Sequence, residues 1–400
     1  MNVLVVNAGS SSLKFQLLEV GGDDRRVARG LIERIGGEGR LTLEADGIPG
    51  RSEVVTAADH ATAVARALEA LRGIPGEVAI DAVGHRIVHG GSRFVEPTVL
   101  DDDVLAALED VGRLAPLHNG PGIAAARACR RLVDPRVPMV GVFDTAFHAG
   151  LPAAASTYAI PRELAERHGI RRYGFHGISY RYVTARCAAL TGVPEHEVTL
   201  IAFHLGNGCS AAAIARGRSV ETSMGFTPLE GLVMGTRSGD VDPAIVAYLT
   251  GAEGVTAAEV EQWLNERSGL LGLGGGSRDV RDLVARADGD AHARLAIDVF
   301  CHRARKYLGA YMAVLGGAPT VVFTGGIGEH QPEIRRRICE RMAWCGLVLD
   351  PARNAAAIGT ETGIAAPGSA VRAFVVPTDE ERVIARDAAA RLARTAGTRA

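Results

Sequence analysis

Within its first seventeen residues the chain sets an apolar run, Val3 to Val6, before Asn7-Ala8-Gly9-Ser10-Ser11-Ser12 and an alternating run, Leu13-Lys14-Phe15-Gln16-Leu17, after it. Glycine lets a backbone approach a phosphate closely, serine hydroxyls and exposed amides donate to its oxygens, and Lys14 supplies a point charge. The chemistry that such a hairpin suits is phosphate binding. It is not a Walker A loop: no G-x-x-x-x-G-K-[ST] is present, and the alternation at Leu13, Phe15 and Leu17 marks a strand where that motif needs a helix. Taken alone, it is equally an ordinary hairpin turn rich in Gly and Ser.

Two further glycine turns widen the case. The strand 199–204 runs into Leu205-Gly206-Asn207-Gly208-Cys209-Ser210 and then into a strand at 211–214. This repeats the opening theme roughly 200 residues later, as a duplicated fold with a ligand between its halves would. The third turn, Thr324-Gly325-Gly326-Ile327-Gly328-Glu329, stands between a strand at 320–323 and a helix expected to begin near Pro332. Backbone amides at such a junction suit an anion or a nucleotide.

The elements that must position these turns follow from periodicity. Residues 21–50 read as a meander, and Val64, Leu68 and Leu71 have helical spacing. A strand at 78–83 leads into Gly84-His85-Arg86-Ile87-Val88-His89-Gly90-Gly91. Helices follow at 102–114 and 121–132, and a strand at 137–143 ends at Asp144. The second half opens with a helix at 178–191. The last helix is expected over 380–395, with Thr378 as its N-cap and Glu381 closing a capping box.

Four hundred residues, 47% of them hydrophobic, call for two domains of ordinary size. A net charge of −2 and a pI near 6.6 argue against nucleic acid or a membrane surface as partner and favour small ligands. Met1-Asn2 passes directly into a strand without the basic region and cleavage site of a signal peptide. No apolar run approaches the roughly 18 residues of a membrane span, so a cytoplasmic location is expected. Cys129, Cys187, Cys209, Cys301, Cys339 and Cys345 form no C-x-x-C pair and read as reduced thiols.

Taken together, the motifs resemble those of the acetate kinase family. The resemblance rests on Asn7 to Phe15, His85 to Gly91, Pro116-Leu117-His118-Asn119, Phe143 to His148, Tyr173-Gly174-Phe175-His176-Gly177 and His204 to Gly208. It extends through Thr222 to Gly231, Gly235-Thr236-Arg237-Ser238-Gly239-Asp240 and Gly325 to Glu329. These stand in family order from Asn7 to Glu380. The resemblance implies an α/β fold of two duplicated actin-like, ribonuclease H-like domains with a nucleotide cleft between them. The first domain would span 1–147, completed by a helix at 381–400, and the second 148–380. The implied reaction is phosphoryl transfer from ATP to acetate, giving acetyl phosphate and ADP, with Mg²⁺ or, in its place, Mn²⁺. The family forms homodimers, which becomes an expectation here.

The same resemblance assigns roles. Arg86 would hold the acetate carboxylate, Arg237 would bind the transferring phosphoryl group, and His176 would donate to the same oxygens. Phosphoryl transfer needs alignment and positive charge more than covalent help, and guanidinium geometry suits both tasks. Asp144 falls at the family's catalytic acid/base position. Acetate, however, is already ionised at neutral pH, since carboxylic acids titrate near about 4. Asp144 is therefore expected to orient Mg²⁺ through water or to steer an arginine. Asn7 and Glu380 fall at metal positions. Lys14, Ser10, Ser12, His204, Leu205, Gly206, Asn207, Gly208, Asp279, Val280, Arg281, Gly325, Gly326, Ile327, Gly328 and Glu329 fall at ATP-contact positions. Val88, Leu117, Phe175 and Pro228 would wall the acceptor's methyl group. A methylene is worth only about 1 to 3 kcal/mol in such a pocket, so propionate should react more weakly rather than be excluded.

Overall fold

The run Asn2–Ala8 is buried along nearly its whole length, on both faces, because it becomes an interior strand of a sheet covered on each side. A computed structural model describes residues 1–75, 79–112 and 116–397, apart from the side chains of 116–118 and 396–397. The chain divides into two units: Met1–Ala149 with Asp379–Ala400, and Gly150–Thr378.

The first unit is built on β1 (Asn2–Ala8), β2 (Ser12–Glu19), β3 (Arg25–Glu33), β4 (Gly37–Ala45), β5 (Ile48–Ala57), β6 (Ala82–Ile87), β7 (Thr98–Val99) and β8 (Met139–Phe143). Their spatial order is β5-β4-β3-β2-β1-β6-β8-β7. The second unit holds β9 (Leu200–Leu205), β10 (Cys209–Ala215), β11 (Arg218–Thr222), β12 (Thr320–Thr324), β13 (Thr362–Gly363) and β14 (Arg372–Val375), ordered β11-β10-β9-β12-β14-β13.

The two sheets share a plan. Three antiparallel strands, β3-β2-β1 in one and β11-β10-β9 in the other, continue into two parallel ones, β6-β8 and β12-β14. The two strand, turn, strand motifs legible in the sequence, β1-β2 and β9-β10, occupy the same place in this plan. The duplication is therefore one of topology as well as of motif.

The C-terminal helix Glu380–Gly397 belongs to the first sheet. Gly84 makes room for it: a Cβ there would stand 2.7 Å from Ile384 Cγ2. Ile384, Ala385 and Ala388 are buried on the helix face that meets β1, β6 and β8. The opposite face of the sheet packs its Leu4, Val6 and Phe15 into a core with Val64 and Leu68 of the helix His60–Arg72 and Ala125 of the helix Pro116–Leu132.

Three expectations need correction. The strand expected at 78–83 runs over Ala82–Ile87, with Val78 outside the described residues. Its backbone pairs with β1 as far as His85 and with β8 as far as Ile87, so sheet register overrides the polar look of Gly84-His85-Arg86. His85 lies in the core, and burial pushes its imidazole down to about 4, where it stays neutral. The third glycine turn is a short helix, Gly325–His330. Gly325 starts it at φ +75°, where a Cβ would lie 2.7 Å from the Leu205 carbonyl oxygen. The last helix is capped by Asp379, whose Oδ1 accepts from Arg382 N at 3.1 Å. Thr378 is spent elsewhere, its hydroxyl on Ser179 Oγ at 3.1 Å and its amide on Glu329 Oε1 at 3.1 Å.

Candidate active site

In the first unit the sheet register brings Asn7, at the end of β1, beside Arg86, on β6, and Asp144, just past β8. Arg86 Nη2 donates to Asp144 Oδ2 at 2.6 Å, and Nε reaches both carboxylate oxygens at 3.2 and 3.3 Å. Arg86 Nη1 donates to Asn7 Oδ1 at 3.1 Å, and Asn7 Nδ2 faces Glu381 Oε1 at 3.4 Å. A guanidinium has five N–H groups. The three engaged here leave one N–H on each Nη for a further acceptor, and guanidinium N–H groups suit the oxygens of a carboxylate or phosphate.

The charges around Arg86 are lopsided. Asp144 is buried and Glu380 and Glu381 are partly exposed. Burial alone would lower the Arg86 pKa, but Asp144 and Glu380 outweigh it and raise it. Glu380 is pushed up to about 7, first by desolvation and then by the charges of Asp144 and Glu381, against the opposing pull of Arg86 and Lys14. Three carboxylates thus face two cations.

The segment after β6 is pinned by motifs distant in sequence. Asn119 accepts from His89 N at 2.8 Å and donates to His89 O at 2.9 Å, and Gly90 N donates to Thr145 Oγ1 at 3.0 Å. This holds Val88, half-buried, next to Arg86. Leu117 falls on the first turn of Pro116–Leu132, where its side chain lies outside the described residues, as does that of His118. The β1-β2 hairpin closes through Gly9 N to Ser12 O at 2.8 Å and is fastened by His60 Nε2 on Gly9 O at 2.7 Å. Ser10 and Lys14 are exposed. Lys14 lines a cavity of about 310 Å³ together with Gln16, Arg29 and Glu381.

In the second unit Gly208 is the meeting point. A Cβ on it would lie 2.9 Å from Arg237 Nη2 and 3.5 Å from His176 Nε2, so both side chains converge there. Arg237 is braced by Nη1 donating to Pro228 O at 2.7 Å. His176 takes a left-handed conformation, φ 58°, at the start of the helix Gly177–Thr191 and shares a hydrogen bond of 2.8 Å with Ser210 Oγ. Its ring stacks on His204 at 4.1 Å between centroids, and His204 Nδ1 pairs with Ser179 Oγ at 2.9 Å. Phe175 and Pro228 are buried.

The three glycine-rich or charged segments singled out by sequence come together in this unit. Gly206 and Asn207, then Asp279, Val280 and Arg281, then Gly326 and Ile327 line one cavity of about 580 Å³. Asp279 caps the helix Val280–Arg286 and pairs with Arg281 at 2.6 Å. Val280 itself is mostly core. Glu329 turns inward, its Oε1 accepting from Gly325 N at 2.8 Å. Arg278, His330 and Gln331 also line the cavity and were not anticipated. Their signal was only adjacency to Asp279 and to the third glycine segment. Glu381, which the sequence offers as a capping residue, also faces Asn7 and lines the Lys14 cavity.

A divalent cation fits the first unit's donors on charge. All are oxygens, they carry surplus negative charge, and desolvation with the charges of Asp144 and Glu381 pushes the Glu380 carboxyl up, a shift that a cation beside it would oppose. Among the described residues no three His, Cys, Asp or Glu side chains form a metal cage. A hard cation would therefore draw most of its ligands from phosphates and water, as Mg²⁺ does.

A family model described as the acetokinase family matches residues 2–386. Acetate kinase of Solibacter usitatus (strain Ellin6076) is 49% identical over 402 residues, covering 97% of each chain. Acetate kinase of Leifsonia xyli subsp. xyli (strain CTCB07) is 50% identical, covering 96% of this chain and 98% of its own. Among solved structures, Porphyromonas gingivalis acetate kinase is similar at TM-score 0.90 and 41% identity, covering 98% of this chain and 99% of its own. A propionate kinase from Francisella tularensis subsp. tularensis SCHU S4 has TM-score 0.90 and 38% identity, with 96% and 98% covered.

Proposed function

The chain belongs to the acetokinase family, and from that premise we propose that it transfers the terminal phosphoryl group of ATP to acetate, reversibly, giving acetyl phosphate and ADP. The observation that carries this reading is the convergence of Arg237 and His176 on Gly208, in the same segment whose Gly206 and Asn207 line the 580 Å³ cavity. Phosphoryl transfer needs donors for the equatorial oxygens beside a nucleotide pocket, and this arrangement supplies them.

In this reading ATP occupies that cavity, with Gly206, Asn207, Asp279 to Arg281 and Gly326 against it. Arg237 and His176 donate to the migrating phosphoryl group. Arg86 receives the acetate carboxylate on its two remaining N–H donors. Asp144 aims Arg86 and removes no proton, since the acceptor is already an anion. Lys14, Ser10 and Ser12 serve phosphate oxygens, and Val88, Leu117, Phe175 and Pro228 serve as contacts of the acceptor methyl. Mg²⁺, held by Glu380 and by Asn7 through water, would neutralise charge on the nucleotide's phosphates.

We also propose a cytoplasmic homodimer. The helix Ala244–Glu253, AIVAYLTGAE, buries none of its residues and leaves Ile245 and Tyr248 39% and 73% exposed, with Val241 just before it. A second copy would cover that apolar surface. No described helix is long and apolar enough to cross a membrane.

The test is to supply Mg-ATP with acetate, propionate and butyrate and trap acyl phosphate with hydroxylamine. The reading expects hydroxamate from acetate at the highest kcat/KM and less from propionate. ATP binding without acyl phosphate from any carboxylate would overturn it.

A further inference from the structure

The loop Ser223–Glu230 leads from β11 to Gly231 and carries Pro228, whose carbonyl receives Arg237 Nη1. Both ends of this loop are tied to the sheet and its surroundings. Ser223 exchanges hydrogen bonds with Ala211, N to O at 2.9 Å and Oγ from N at 2.9 Å. Gly231, at φ +108°, donates to Asp240 Oδ1 at 2.8 Å. Between these ends the loop pairs with no strand among the described residues; Gly225 O accepts from Tyr173 N at 3.1 Å and Gly174 N at 3.3 Å, and a cluster of three side chains holds the rest.

Arg172 donates from Nη1 to Ser223 O at 3.3 Å and Met224 O at 3.2 Å, and its Nη2 pairs with Glu230 Oε1 at 2.6 Å. The other oxygen of Glu230 accepts from the Tyr158 hydroxyl, and that hydroxyl in turn accepts from Phe226 N at 2.8 Å. The guanidinium also lies over the Tyr158 ring at 5.5 Å. A side chain at Gly225 would push Glu230 and Tyr158 out of the cluster. A Cβ on Gly225 would stand 1.8 Å from Glu230 Oε2 and 2.0 Å from Tyr158 Oη. The carboxylate of Glu230 is satisfied on both oxygens and grips the loop from its own C-terminal end.

We propose that Tyr158, Arg172 and Glu230 are positioning residues for Arg237: by fixing the loop they fix the Pro228 carbonyl, and through it the placement of the guanidinium against Gly208 and His176. This rests on the reading of Arg237 as the ligand of the phosphoryl group. A displacement of about 1 Å in such a group costs about a hundredfold in rate, so the clamp should be felt in turnover rather than in substrate binding.

The experiment measures kcat, KM for ATP, KM for acetate and the melting temperature of Tyr158→Phe and Glu230→Gln, each in the wild-type and in an Arg237→Ala background. The expected result is a kcat lowered about tenfold or more with both KM values within about twofold, and no further loss when Arg237 is already absent. Tyr158→Phe removes a single oxygen, so it reports even if Glu230→Gln unfolds. Unchanged kcat in folded variants, or the same fold-loss repeated in the Arg237→Ala background, would overturn the proposal. Full activity of Arg237→Ala alone would instead remove the reading on which it stands.

Discussion

The buried carboxylate of Asp144 holds the Arg86 guanidinium from the side, with Nη2 to Oδ2 at 2.6 Å and Nε shared between both oxygens. That grip fixes the plane of Arg86 and leaves one N–H on each Nη for a further acceptor. It favours steering over proton transfer as the work of Asp144. Asp144→Asn should lower kcat/KM for acetate about a hundredfold while leaving the limbs of the pH–rate profile in place. Loss of a limb would mark Asp144 as an acid or base. Asp144→Ala should also cost about 3 to 5 kcal/mol in urea unfolding, because it strands a partly buried cation.

Arg86→Ala should raise KM for acetate far more than KM for ATP, because the removed donors face the acceptor. Steady-state kinetics with each substrate varied in turn decides this. Equal changes in the two constants would point to a defect of the whole unit.

How much of this was legible in sequence depends on how local the cause is. The β1-β2 and β9-β10 hairpins showed through because alternation and a Gly/Ser/Asn turn lie within a dozen or so residues. The start of β6 was misread because sheet register, rather than local polarity, decides where Arg86 sits. The Asp379 cap was missed because Thr378, the better capper by type, is committed to Ser179 and Glu329. The contact of Asn7 with Arg86 spans 79 positions and that of Arg86 with Asp144 spans 58, so no spacing rule contains them. Only the family resemblance suggested that those motifs belong together.

Glu380 gives a pH dependence. Its carboxyl is pushed up to about 7 in the folded chain from an ordinary 4.5. The folded state therefore binds the extra proton between those values. The stability this contributes is complete below 4.5 and is lost as pH rises through 7. A cation competes with that proton. Mg²⁺ should raise the melting temperature more at pH 8 than at pH 6, and EDTA should reverse the gain. Glu380→Gln should flatten the difference. Equal gains at the two pH values in the unmodified protein would count against a cation at Glu380.

Arg335 is fully buried and, among the described residues, pairs with no carboxylate. Its Nε donates to Asn354 Oδ1 at 2.8 Å, Nη1 to Gly328 O at 2.7 Å, and Nη2 to Asn354 O at 2.8 Å and Ala357 O at 2.7 Å. Burial lowers its pKa to about 10, so it stays charged at neutral pH. Arg335→Leu leaves those oxygens without donors, at about 1 to 3 kcal/mol each, and should cost at least about 4 kcal/mol in urea unfolding. An unchanged unfolding midpoint would show that the segment after Gly325 does not depend on this residue.

Arg237 is the residue proposed to neutralise charge on the phosphoryl group as it moves. The direct measurement is a single-turnover experiment: transfer of the terminal phosphate of ATP to acetate by Arg237→Ala, with ATP affinity measured on the same preparation. Transfer should be slowed by about a thousandfold or more with ATP affinity little changed. Transfer at a near-normal rate in the folded variant would contradict it.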